Sequence, residues 1–375
     1  MTIKILFFIE TLDGGGAEKV LCNLVNSMDQ SRFEITVQTL WKADSEQLLR
    51  PGIHYRYCYA DRDKANVLRS RYEAALGLTY RLYIKDDYDI EVAFLEFGST
   101  KIISRSTNRR AKKVAWVHSD LVQKLSEKEK TIQKVAQQYV SYDRIICVSE
   151  SVRESFIRLF GREKDTFVLY NTVDDNAIRK NAELTQPDFP KKKRATAVTV
   201  GRLAPEKQYD MLLRVHRRLI EEGVLHDLWI VGEGSERGKL EAFISENQME
   251  SSVKLLGFQA NPYTYMQNAD FLVCSSRYEG LSTFVVEGLI LGRPIITTEC
   301  SGMRELLGDS EAGLIVENSE TALLTGMREL LNNPSLRNDY AKQAKQRGDR
   351  LSAMHITKKT EQFFITLAED VFIND

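Results

Sequence analysis

IKILFFIETLDGGGAEKVLCNLVNSM, residues 3–28, is the stretch whose reading decides the architecture. IKILFFIE (3–10) is a continuous apolar run closed by a turn, which suits a strand buried on both faces of a parallel sheet. AEKVLCNLVNSM (17–28) carries its apolar residues at helical spacing. Between them DGGGAEK (13–19) must swing the chain from strand to helix. Its glycines let a backbone come close, and the helix start offers N–H groups at a positive dipole end, so the loop suits a phosphate or a plain tight turn. The dinucleotide pattern GxGxxG is broken by Lys19, which removes support from an NAD-dependent dehydrogenase.

The same unit recurs outward from this stretch. ITVQTL (35–40), DIEVAFLEF (89–97), KKVAWVHSD (112–120) and RIICVSES (144–151) are short hydrophobic runs separated by helical or polar segments, and VLYNTVDD (168–175) closes the series. TAVTVGRL (196–203), DLWIVGEGSE (227–236), SVKLLGF (252–258), ADFLVCSS (269–276), PIITTE (294–299) and GLIVE (313–317) form a second series. Alternating runs of this kind predict an α/β chain of two Rossmann-like, doubly wound domains, and 375 residues exceed what one core usually serves. The expected limits are 1–175 and 195–353, with a linker at 176–194 and a tail of two helices parted near 348–352. A cleft between the two domains is the expected ligand site.

Composition narrows the chemistry. With 43% hydrophobic and 28% charged residues and a net charge of −1, the chain reads as an ordinary globular protein with no overall attraction for nucleic acid. Five scattered cysteines without CxxC spacing suggest a reducing, cytoplasmic setting, and the first apolar run is too short to span a membrane. DRD (61–63) and DYD (87–89) follow no buried strand and read as solvated acids, so no metal is expected.

Two motifs carry more. GRLAPEKQYD (201–210) leaves a strand with Arg202 and Lys207, a planar fork and a mobile point charge that together suit a diphosphate or, more plainly, lie in solvent. RYEGLSTFVVEGL (277–289) places Glu279 in a turn after a strand and Glu287 about one turn into the next helix. A carboxylate among Phe284, Val285, Val286 and Leu289 is costly to desolvate unless something donates to it: the diol of a ribose, or a buried ion-pair partner. His118 ends the strand KKVAWVHSD, where it could bond structurally or face the cleft.

GGGAEK, AWVHSD, VSES, LYNTVD, VGRLAPEKQYD, WIVGEGSER, VKLLGF and EGLSTFVVE together resemble the retaining, GT-B-fold glycosyltransferases of family 4, from end to end of the chain. The resemblance implies that Glu287 holds the nucleotide ribose and Glu279 the hydroxyls of the donor sugar, while Arg202 and Lys207 neutralise the diphosphate. It places Gly15 and Gly16 at the phosphates and sugar, His118 near the transferred sugar, and the backbone of Leu281, Ser282 and Thr283 on the phosphate and sugar. Gly232, Glu233, Gly234, Leu256, Gly257 and Phe258 then lie near the base, and a helix over about 354–370 crosses back to the first domain.

Ser275-Ser276 replaces the family's common Pro-Ser and is expected to alter only backbone stiffness. Gly280-Leu281-Ser282 replaces a frequent Gly-Phe-Gly, which bears on which sugar is taken. The function implied is metal-independent, retaining transfer of a hexose or N-acetylhexosamine, with UDP the expected carrier and no cofactor. The acceptor is a glycan or lipid-linked saccharide in cell-surface polysaccharide or capsule synthesis. A sugar-nucleotide 2-epimerase of the same fold is the alternative. KIISRSTNRRAKKV (101–114) and LRSRYEAALGLTYRLYIK (68–85) are basic, and suit either an anionic membrane surface or a solvated face.

Overall fold

The computed structural model describes residues 2–13, 15–125, 129–184, 194–351 and 353–372, and it divides into two units, Met1–Thr172 with Ala353–Asp375, and Val173–Ser352. The first unit is built on a seven-stranded sheet of β1 (Ile3–Ile9), β2 (Phe33–Trp41), β3 (His54–Tyr59), β4 (Ile90–Phe94), β5 (Lys112–Val117), β6 (Arg144–Cys147) and β7 (Thr166–Val168). All pairings are parallel and the order is β3-β2-β1-β4-β5-β6-β7. Ile5 to Ile9 are 0% exposed, as a strand covered on both faces requires. Sequence pattern missed β3, an edge strand whose HYRYCY buries only Tyr59 and so lacks an apolar run.

The helix Gly16–Ser27 follows β1, and the last helix, Ala353–Phe372, packs beside it in the same unit. Phe364, 0% exposed, meets Phe7 at 5.8 Å and Trp116 at 6.5 Å between ring centroids. Burying such a ring contributes roughly 2–3 kcal/mol. Thr357 shares a 2.9 Å hydrogen bond with Ser27, and Glu361 accepts the Asp29 N–H at 2.7 Å. The C-terminal helix thus belongs to the first unit, as the resemblance implies.

The second unit carries a six-stranded parallel sheet of β8 (Thr196–Val200), β9 (Asp227–Val231), β10 (Val253–Leu255), β11 (Phe271–Cys274), β12 (Ile295–Thr298) and β13 (Leu314–Val316), ordered β10-β9-β8-β11-β12-β13. All six strands fall in the runs read from sequence. The first part of the expected linker is instead the helix Asp175–Ala182: Asp174 caps it by accepting the Ala177 N–H at 2.9 Å, and Ile178 and Ala182 are buried. Residues 185–193 of that stretch lie outside the described residues.

Both sheets reverse direction of build between their first and fourth strands, β1 beside β4 and β8 beside β11. Loops leaving the C-terminal ends of such strands part at a switch point, where doubly wound folds bind ligands.

Candidate functional site

In the second unit the loops after β8 and β11 meet. Lys207 lies in the 3-10 turn Pro205–Lys207 after β8, and its Nζ donates to Glu279 Oε1 at 2.6 Å across 72 residues of sequence. Both side chains are largely covered, 21% and 13% exposed. Burial works against the Lys207 charge, but the Glu279 carboxylate outweighs it and lifts the ammonium pKa above its ordinary value. Lys207 is therefore a fixed positive charge at any physiological pH.

The two serines before the loop act beyond backbone stiffness, which corrects the sequence reading. Ser276 Oγ donates to Glu279 Oε1 at 2.7 Å, and Ser275 Oγ donates to the Lys207 carbonyl at 2.7 Å, so side-chain hydroxyls bind the two loops to each other. The Ser276 carbonyl is held in turn by Thr298 Oγ1 at 2.7 Å and Asn318 Nδ2 at 3.2 Å. Arg202, in the same loop after β8, has a side chain 74% exposed and paired with Glu206 at 3.1 Å.

Leu281 and Ser282 are buried, and Ser282 is the N-cap of the helix Thr283–Ile290 without a side-chain cap bond. Glu287, in the second turn, is 7% exposed and accepts from Tyr263 Oη at 3.0 Å. Tyr263, from the helix Tyr263–Gln267, was missed by sequence reading because a tyrosine in NPYTYMQN carries no signal of what it will reach.

The loops after β8, β9 and β10 nest backbone to backbone. Gly201 N–H donates to Val231 O at 2.9 Å, Gly232 N–H to Gly257 O at 2.8 Å, and Leu203 N–H to Glu233 O at 2.9 Å. Gly232, at φ +144°, has no room for a side chain: a Cβ would stand 1.9 Å from the Gly201 carbonyl oxygen. Glu233 pairs with Arg237 at 2.5 Å, Leu256 donates its N–H to Ile230 O at 2.8 Å, and Phe258 is 72% exposed beside Gly257.

In the first unit Gly15 is the N-cap of Gly16–Ser27, and its N–H is already taken by Glu18 Oε2 at 2.6 Å, so the helix start carries its own carboxylate. His118 follows β5 and packs on Phe94 at 4.6 Å and Trp116 at 6.2 Å. Burial lowers its pKa to about 4, so the ring is neutral at pH 7. Its backbone N–H donates to Glu96 Oε2 at 3.1 Å, while its buried Nε2 has no hydrogen-bond partner among the described residues.

Two residues of the expected acids have structural roles. Asp63 caps the helix Lys64–Leu76, and Asp89 accepts the Lys4 N–H at 2.8 Å.

Residues 14–177 match the model described as Glycosyltransferase Family 4, and 181–347 that described as Glycosyl transferases group 1. The chain is a GT-B glycosyltransferase of family 4. This glycosyltransferase is 28% identical over 96% of its length, and 99% of the relative's, to the N-acetylgalactosamine-N,N'-diacetylbacillosaminyl-diphospho-undecaprenol 4-alpha-N-acetylgalactosaminyltransferase of Campylobacter jejuni. It is 23% identical, over 86% of its own length and 87% of the relative's, to a lipopolysaccharide core biosynthesis glycosyltransferase of Rhizobium meliloti. In fold it resembles Anabaena HepE, solved with UDP and glucose, at a TM-score of 0.77 and 18% identity, over 96% of this chain and 99% of the other. It also resembles TarM at 0.75 and 14% identity, over 98% and 99%.

Proposed function

We propose that the enzyme transfers a hexose or N-acetylhexosamine from a UDP-sugar, with retention of configuration, to a hydroxyl of a glycan or diphospholipid-linked saccharide in cell-surface glycan synthesis. The observation that carries this reading is the Lys207–Glu279 pair at 2.6 Å on the two switch-point loops of the second unit. As the anomeric bond breaks, negative charge grows on the leaving diphosphate. Lys207, Arg202 and the N–H groups opening the helix Thr283–Ile290 stabilise it without a metal. Glu287 accepts the ribose hydroxyls, Glu279 those of the sugar, and exposed Phe258 with the Gly232–Gly234 loop receives the base. No carboxylate serves as a nucleophile; the acceptor hydroxyl approaches on the face the diphosphate leaves.

UDP is supported by HepE, solved with UDP and with UDP-glucose, and an acceptor on diphospho-undecaprenol by the name of the Campylobacter relative. The test is a thermal-shift panel of UDP, GDP and ADP with their sugars, followed by NMR of the product's anomeric configuration with and without EDTA. A native-state ligand raises the melting point according to its affinity. Preference for GDP or ADP, an inverted product, or loss of turnover in EDTA each refutes the corresponding part.

Peripheral contact with an anionic membrane has its own observation. The helix Lys64–Leu76 buries Ser70 and Glu73, with Glu73 accepting from Tyr59 Oη at 2.5 Å and Arg69 Nε at 2.6 Å, and turns Leu68, Tyr72 and Leu76 outward at 71%, 66% and 55% exposure. Its apolar face is the wet one, which reverses the reading of a solvated basic face over a core helix. Leu78 and Leu82 continue the exposed stripe, with Lys64, Arg71, Arg81 and Lys85 around it. Such a surface suits an anionic bilayer. The basic run 109–113, by contrast, enters β5 at its N-terminal end, the opposite end of the strand from His118.

A further inference from the structure

Ser275 to Arg277 leave the end of β11, which lies between β8 and β12 in the sheet, and they are held from both sides. Towards β8, the Ser275 hydroxyl meets the Lys207 carbonyl, and the Arg277 N–H donates to Glu206 O at 2.8 Å. Towards β12 and β13, the group held is the Ser276 carbonyl. Thr298, the last residue of β12 and 0% exposed, donates to it through Oγ1 at 2.7 Å. Asn318 Nδ2 donates to it at 3.2 Å, from 42 residues away. A carbonyl oxygen has two lone pairs, and these two donors fill both. Asn318 stands next to a rigid element, because Ser319 caps the helix Glu320–Asn332 by accepting the Ala322 N–H at 3.3 Å. No motif marks Asn318, since the run GLIVE stops at Glu317.

The Ser276 carbonyl matters because the hydroxyl of the same residue reaches Glu279. Glu279 Oε1 accepts from Ser276 Oγ at 2.7 Å and from Lys207 Nζ at 2.6 Å. Among the described residues Glu279 Oε2 makes no hydrogen bond, so it is the oxygen open to a ligand. With Oε1 tied at two points, the direction of Oε2 follows from where Ser276 stands. Ser276 is 1% exposed and stands where Thr298 and Asn318 hold it. A shift of about 1 Å in a substrate-binding group can cost about 100-fold in rate. We infer that Asn318 is a positioning residue for Glu279: by holding the Ser276 carbonyl it keeps the Ser276 hydroxyl on Oε1 and leaves Oε2 aimed at the hydroxyls of the donor sugar. This rests on the donor-sugar role proposed for Glu279 above, and adds the residue that aims it.

The test is calorimetric titration of the full chain with UDP and with UDP-glucose, UDP-galactose, UDP-N-acetylglucosamine and UDP-N-acetylgalactosamine, in the wild type, Asn318→Asp, Glu279→Gln and the double variant. Asn318→Asp sets an acceptor against the Ser276 carbonyl. It is expected to raise the Kd of the tightest-binding UDP-sugar about fivefold or more, the worth of one hydrogen bond, while the UDP Kd stays within about twofold. In the Glu279→Gln background the same substitution is expected to change neither Kd by more than about twofold, because residues that act through one group are not additive. Asn318→Ala, which removes the donor and adds no repulsion, is expected to show the same pattern with a smaller loss, and it carries the cycle if Asn318→Asp does not fold. Unchanged UDP-sugar binding, equal weakening of UDP and UDP-sugar, or a full effect in the Glu279→Gln background overturns the inference and leaves the role of Glu279 standing. A Glu279→Gln protein that binds the UDP-sugar as the wild type does, or a wild type that binds none of the four, refutes the donor-sugar reading and the inference with it.

Discussion

At the scale of single residues, the decisive feature is a buried positive charge that has somewhere to act. Lys207 keeps its proton because Glu279 offsets the cost of burial, so it is ready to meet charge developing on a leaving diphosphate. Lys207→Ala is expected to cut turnover by about 100-fold or more, the loss typical of one preorganised donor, with an unchanged circular-dichroism spectrum; turnover within a few-fold of wild type would remove Lys207 from the chemistry. Tyr263 is a quieter member of the same site. Its hydroxyl on Glu287 orients the carboxylate proposed to receive the ribose, so Tyr263→Phe is expected to weaken UDP binding by about tenfold, near 1.5 kcal/mol for a hydrogen bond to a charged group. Calorimetry reads this directly, and an unaltered Kd would mean that Glu287 is positioned by other contacts. The motif residues were legible in sequence; the contacts of Ser275 with the Lys207 carbonyl and of Tyr263 with Glu287 were not, because only folding brings those partners close.

At the scale of elements, loops are fixed by glycines where backbones touch and by hydroxyls where they do not. Gly232 must lie against the Gly201 carbonyl, and that oxygen cannot yield as a flexible side chain would. Gly232→Ala is expected to destabilise the second unit by roughly 3 kcal/mol in urea unfolding, through backbone displacement and an unfavourable φ. A change below about 0.5 kcal/mol would show the nested loops to be far softer than drawn. The helix Lys64–Leu76 follows a different logic, with Glu73 inside and Leu68, Tyr72 and Leu76 outside. Replacing those three by serine is expected to abolish sedimentation with anionic vesicles and to leave the melting temperature within about 2 °C, since exposed substitutions usually change stability by less than about 0.5 kcal/mol each. Retained sedimentation would exclude the stripe as the contact. Sequence marked this stretch as basic, yet could not say which of its residues the fold would bury.

At the scale of the whole molecule, acid sensitivity has an identifiable source in the second unit. His216 Nδ1 and His226 Nε2 are 2.9 Å apart, His216 Nε2 is 2.9 Å from Ser252 Oγ, and both rings are 0% exposed. Burial holds the His216 pKa down to about 3 and lowers that of His226, so both rings stay neutral in the fold. In the unfolded chain they titrate near 6.5. Below that pH the unfolded chain takes up protons that the folded chain refuses, and stability falls by at most about 1.4 kcal/mol per pH unit for each ring. The melting temperature is expected to drop from pH 7 to pH 5, and by less in His226→Asn; an equal drop would place the acid sensitivity elsewhere.

The sequence by itself determined the two series of parallel strands, the strand–glycine–helix turns and the motif residues on them, because hydrophobic period and glycine placement act locally. Tertiary structure alone decided that Lys207 reaches Glu279 across 72 residues, that Asn318 reaches the Ser276 carbonyl across 42, and that β3 completes an edge. Those outcomes depend on which strands become neighbours in a sheet, and strand order is a property of the folded chain rather than of any window along it.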